Sequence, residues 1–285
     1  MQDYPEEVVI EQSNVSKLSV NNSILTTVNN IDDIDIMLAN IETLKVQQGN
    51  ANLIGKQFDL FKQFLINNPD HLDYTVEYLD AYSVDDPRFN LLISAIQSIP
   101  EQGADQALFA LAKQYGMSSD PQSQKKFVAL VASASTMIET EEIIQGLLEL
   151  TIIEQVDMNT KLEALNLLQP FQIKESEKEN IIKGLTADIY NSNGSEAEML
   201  LPHVMRFAID DQGEQIVTEL LAYTSSDSLR LAVLDNISAG SIPISDEIKN
   251  MLLEIAKSES DPLNSDAKNA LIERFNISYS EYSTL

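Results

Sequence analysis

Helix starts recur along this chain at nearly equal intervals, and that rhythm limits its possible folds more than any other feature. Starts are readable at Asp86-Pro87, Asp120-Pro121, Asp157, Ser195, Asp227 and Asp261-Pro262, spaced 34, 37, 38, 32 and 34 residues apart. Each offers a side-chain oxygen that can accept from the free N–H groups of a first turn. Where proline follows, it takes the first helical position, which needs no donor. Apolar stripes at helical spacing come next: Leu92, Ala95, Ile96 and Ile99; Phe127, Leu130, Val131 and Ala134; Leu229, Ala232, Val233 and Ile237; Ala267, Ala270 and Leu271. A second helix completes most units, carrying Ala104, Leu108 and Leu111, or Ile144, Leu147 and Leu148, or Ile216, Leu220 and Leu221, or Ile248, Leu252 and Ile255. No strand-like alternation interrupts this between residues 31 and 275. A pair of such short helices buries too little core alone and has to stack on its neighbours. The expected fold is therefore all-α, an α-α superhelix (solenoid) of stacked helical pairs. The rival is an irregular helical domain with coincidental spacing.

The organisation follows from where the rhythm begins and ends. Residues 1–30 are polar, rich in Asn, Ser and Val, and lack helical period, so they read as a partly disordered leader. From Ile31 the character changes, with Ile34, Met37, Leu38 and Ile41 on one stripe. "LIGKQFDLFKQFLI" and "HLDYTVEYLDAY" follow, parted by the turn signal "NNPD". The expectation is one helical-repeat domain over 31–275, with N-terminal capping helices over 31–84, repeats over 86–275, and a polar tail over 276–285.

Residues 225–275 resemble HEAT-type repeats. Asp227, Arg230 and Ala232-Val233 match the family's common opening, and Asp261 to Leu271 repeats it without the arginine. Pro202, in "EMLLPHVMRF", is similar to the kinking proline frequent in the first helix of that family. Over 86–223 the likeness is one of period only. The resemblance implies stacked HEAT-like pairs and a non-catalytic scaffold or adaptor that binds another protein on its curved face. In such stacks the second helices line the concave side. Their solvent-facing polar residues would then be Glu142, Gln145, Glu149, Gln215 and Glu219, an acidic, hydrogen-bonding surface suited to a basic or polar protein partner. The alternative is that these residues are merely a solvated face.

Chemistry is sparse by comparison. The chain has no cysteine, which removes disulfides, zinc fingers, Fe–S clusters and thiol catalysis together. Its two histidines, His71 and His203, lack a second His or Cys at ligand spacing. His203 shares a stripe with Leu200, Val204 and Phe207 and reads as a core or boundary imidazole, whereas His71 reads as exposed. Paired acids at Asp32-Asp33, Asp85-Asp86, Glu141-Glu142 and Asp210-Asp211 sit mostly at helix starts, where the helix dipole favours them. No calcium loop or Gly-rich phosphate loop occurs, so neither catalytic nor metal residues nor a cofactor is assigned. An acidic-cleft hydrolase or metal-dependent enzyme stays open as an alternative, as does a carrier of an apolar ligand.

The 45 acidic and 18 basic residues leave a net charge of −27, which repels phosphate backbones and anionic headgroups. Nucleic-acid binding is accordingly not expected, and no run approaches the length of a membrane span. The Asn- and Ser-rich, Cys-free character inclines the reading towards an exported, periplasmic bacterial protein rather than a cytoplasmic one. Five Asn-x-Ser sequons, at Asn14, Asn21, Asn193, Asn236 and Asn276, are what such a composition gives by chance. The ending Ser283-Thr284-Leu285 fits a PDZ-type groove that captures a terminal carboxylate, with a frayed tail as the alternative.

Overall fold

The computed structural model describes residues 34, 36–39, 51–99, 102–116, 118–134 and 140–283. The leader, Ile41, the Asp32-Asp33 pair and the terminal Thr284-Leu285 lie outside the described residues. Contacts divide the chain into two compact units, one up to residue 138 and the other from 139 onward. Among the described residues there is no strand, and helix is the only regular structure.

The first unit holds α1 (Ala51–Asn67), a 3-10 turn (Pro69–His71), α2 (Leu72–Asp80), α3 (Pro87–Gln97), α4 (Gln102–Lys113) and α5 (Pro121–Ser133). Here α1 packs on α3, α2 on both α3 and α4, α3 on α4, and α4 on α5. Ile34, Met37 and Leu38, all helical, are buried. Lys126 on α5 donates to the Asp80 carbonyl at 2.6 Å, placing a cation at the C-terminal end of α2, where the helix dipole favours it.

The second unit holds α6 (Glu141–Ile152), α7 (Met158–Leu167), a 3-10 turn (Pro170–Gln172), α8 (Glu175–Asn191), α9 (Gly194–Phe207), α10 (Gln212–Tyr223), α11 (Asp227–Ala239), α12 (Asp246–Lys257), α13 (Asn264–Arg274) and the short α14 (Tyr279–Tyr282). Its contacts form a ladder. The odd-numbered helices α7, α9, α11 and α13 touch in succession, and even-numbered α6 touches α8 as α10 touches α12. Rungs join α6 to α7, α8 to α9, α10 to α11 and α12 to α13.

Helix starts are set by side-chain caps. Asp86 accepts from the Arg88 amide at 2.9 Å, Asp120 from the Ser123 amide at 2.8 Å, and Asp157 from the Thr160 amide at 3.2 Å. Three starts differ from expectation. Asn193, not Ser195, caps α9, accepting from the Glu196 amide while the Glu196 carboxylate accepts from the Asn193 amide. Ser226 caps α11, so Asp227 is already its first helical residue. Asp261-Pro262 does not open α13, which begins three residues after Asp261, at Asn264. The Asp261 carboxylate instead takes the Leu263 amide at 3.0 Å and the Arg230 guanidinium from α11.

The stripes form the core, with two rotations. Leu92, Ala95, Ile96, Phe127, Leu130, Val131, Leu229, Ala232, Val233, Ile237, Ala267, Ala270 and Leu271 are all buried. Each large aliphatic among them contributes about 1.5–3 kcal/mol by leaving water. On α6, however, Ile143 is fully buried and Ile144 half-exposed, and on α10 Val217 is buried where Ile216 is half-exposed. Ala134 is also only half-buried.

Polar ties cross between helices of the second unit. Pro202, inside α9, has no N–H to give the Glu198 carbonyl one turn back. Asn236 supplies the missing donor: its amide nitrogen, on buried Asn236 of α11, reaches the Glu198 carbonyl at 3.0 Å and its own Ala232 carbonyl at 3.0 Å. Arg206 on α9 donates to the Leu165 and Leu168 carbonyls at the end of α7. Buried Lys161 on α7 meets Asp188 of α8 at 2.5 Å.

Candidate functional site

The five polar residues singled out from sequence fall on even-numbered helices of the second unit. Glu142, Gln145 and Glu149 lie at i, i+3 and i+7 on α6, a spacing that puts them on one helical face. Glu142 and Gln145 are exposed and Glu149 half-buried, with the Gln145 amide 3.5 Å from the Glu149 carboxylate. Gln215 and Glu219 lie at i and i+4 on α10, both exposed.

Helix α8 is the element near both sets. At its start, Lys174 stands 3.9 Å from Glu141, a pair so exposed that it adds little stability. Lys174 also lines an open groove with Ile144, Gln145, Leu148 and Glu177. At its end, Tyr190 has its phenol pushed above the ordinary range, first by burial and then by the charge of Glu219. These residues together offer carboxylates, amides, a lysine and a tyrosine. They can accept hydrogen bonds from a cationic partner, and none of them is a nucleophile paired with a base.

Pattern reading passed over three contributors to this region. Lys174 stands where a helix start was not read, because lysine is a poor cap, and Glu177 supplies the capping bond to the Lys174 amide at 2.9 Å. Tyr190 lies on a long, polar helix with a weak stripe. Phe171, 74% exposed, occupies the 3-10 turn just before Lys174. The available signal for Phe171 was "QPFQ", a large aromatic in a proline-opened turn rather than on an apolar stripe.

The histidines have ordinary surroundings. His203 is half-buried on α9, and its imidazole is held down at about 4 by burial and then by neighbouring Arg206. His71 is half-buried rather than exposed, its ring centroid 5.2 Å from that of Phe64. The tertiary reason is that its 3-10 turn packs back on α1. Among the described acidic pairs, Asp86 is a cap, Glu141-Glu142 fills the first turn of α6, and Asp210-Asp211 precedes α10. Among the described residues, no group of three or more His, Asp and Glu is placed to hold a metal ion.

On this geometry the chain belongs to the all-α class, and among its described residues no helix is long and apolar enough to cross a membrane. Compared with known proteins, the chain matches no family model, no curated protein and no solved structure.

Proposed function

We propose that this chain is a HEAT-like helical-repeat scaffold without catalytic activity, which binds a basic or polar protein on the face built by α6, α8 and α10. The observation that carries this reading is the ladder of neighbour contacts in the second unit, in which odd-numbered helices stack on one another while the even-numbered ones present exposed polar residues. The spacing of buried positions supports it. A shift of 32 residues carries Ala197, Leu200, Leu201 and Val204 onto Leu229, Ala232, Val233 and Asn236, all buried. A shift of 34 carries Leu229, Val233, Asn236 and Ile237 onto Leu263, Ala267, Ala270 and Leu271, all buried again. Neighbour-only stacking makes each pair the core of the next, which is the physical content of a solenoid. Glu142, Gln145, Glu149, Gln215 and Glu219 then form the binding surface, for which the overall charge of −27 favours a cationic partner.

Photo-crosslinking tests this in material from the native source. With the crosslinker at Gln145 or at Gln215, the same protein should be captured from both positions, with a yield that falls as salt rises. With the crosslinker at exposed Asp235 on α11, that capture should fail. Capture of one protein from Asp235 and from neither glutamine would place the binding surface elsewhere.

A further inference from the structure

The second unit carries another groove, lined from the join of α9 and α10 and from the segment between α11 and α12, which includes the first turn of α10 and no residue of α6 or α8. Its floor is apolar, formed by buried Ile242 and Ile248 with half-buried Met205. Pro243 and Ile244, both exposed, line it from the segment between α11 and α12, with Ile244 at 52% exposure. A second open groove, lined by Lys249 and Phe275 among others, shares Ile244 and Ser245 with the first, so the two run together past Ile244. Asp210, Asp211 and Glu214, at the join of α9 and α10, also line the first groove. Among the described residues, none of the three carboxylates has a basic side chain within ion-pairing distance, and Asp211, although it precedes α10, makes no capping bond. Asp210 holds its backbone at φ 49, a left-handed conformation that glycine would adopt with less strain.

We infer that this groove docks a peptide segment of a partner protein in which an aliphatic side chain alternates with lysine or arginine. The chemistry on each side selects that occupant. Exposed Ile244 and the apolar floor favour an aliphatic side chain, which leaves water as it seats. The three unpaired carboxylates along the rim favour cations on either side of it. An anionic segment would meet them with repulsion, and a purely apolar one would leave them desolvated without partners. The groove thus adds a sequence-reading contact to a chain whose proposed main face is selected by charge and hydrogen bonding.

Fluorescence anisotropy with the full chain tests this, using three labelled peptides: one alternating lysine with isoleucine, one with serine in place of isoleucine, and one with glutamate in place of lysine. The first should bind saturably, and the other two about tenfold more weakly or worse. Asp210→Gly removes a rim charge while relieving the left-handed backbone, so the variant should keep or raise its melting temperature yet lose binding. Ile244→Ser, at an exposed position, should lose binding without unfolding. Asp235→Asn, at an exposed position of α11 outside both surfaces, should bind the peptide like the parent, while crosslinking at Gln145 and Gln215 reads the α6–α8–α10 proposal separately. Equal binding of the lysine–serine peptide would reduce the effect to the overall charge and overturn the proposal. So would parental affinity in Asp210→Gly and Ile244→Ser, or the lack of saturable binding up to roughly 1 mM.

Discussion

Asn236 shows how a single residue depends on a neighbouring helix. Its amide satisfies the Glu198 carbonyl that Pro202 leaves open, so its worth is conditional on that proline. Asn236→Val should cost about 1 kcal/mol, the net worth of a hydrogen bond to a part-buried carbonyl. In a Pro202→Ala background an N–H returns to that carbonyl, and the same substitution should cost clearly less. Urea unfolding of the four proteins gives the coupling directly. From sequence Asn236 stood out only as a sequon, because nothing local says that a buried asparagine serves a proline more than thirty residues earlier. His203 carries a pH dependence of definite sign. Unfolded, it titrates near its ordinary 6.5; folded, at about 4. Between those values the unfolded chain holds the extra proton, so stability falls as pH drops through that window and is unaffected above it. The loss should be roughly 1–2 kcal/mol, given the solvent that reaches this half-buried ring. A His203→Gln protein should lack that part of the acid slope in melts run from pH 7 to pH 4.

At the scale of elements, the caps and stripes were legible and the rotations were not. Asp86, Asp120 and Asp157 cap where the sequence places them because the signal is local: one carboxylate and the amides one turn ahead. Asp157→Ala should cost about 1 kcal/mol, read as a shift in the urea midpoint. Asp261 looks the same in sequence, but its carboxylate is shared with Arg230, so its role was not readable locally. Burial works against its charge, yet bonds from Arg230 and the Leu263 amide hold its carboxyl below the usual range. Adjacent aliphatics explain the other misses. In Ile143-Ile144 and Ile216-Val217 either residue satisfies helical spacing, and packing against neighbouring helices decides which turns inward. The stripe of α11 was clear throughout: Val233 and Ile237 are fully buried and Leu234 nearly so. Ile237→Ala should destabilise by roughly 1–4 kcal/mol, through lost burial and a cavity. Ala232→Leu should also destabilise, since overpacking forces the helices apart. Thermal melts check both, and an Ile237→Ala protein that melts like the parent would reverse the assignment of its inner face.

For the molecule as a whole, inward and outward faces should respond to different variables. Glu142→Ala and Glu219→Ala remove exposed charges and should leave the melting temperature within a degree or so, while weakening a basic partner more at low salt than at high. The positions proposed to bind were legible only as a class, exposed polar residues on α6 and α10, because the proposed scaffold face needs no fixed spacing of reactive groups. The proposed stack makes the stronger demand. If each helical pair touches only its neighbours, the chain tolerates loss of an end, whereas a domain built around one shared core does not. The most direct measurement is circular dichroism and urea unfolding of a chain ending at Ser260, which lacks α13 and α14. The stack predicts that the remaining residues keep their helical content per residue and unfold cooperatively at a lower urea concentration, since α11 and α12 lose their outer neighbours. Loss of helix throughout the shortened chain would contradict it.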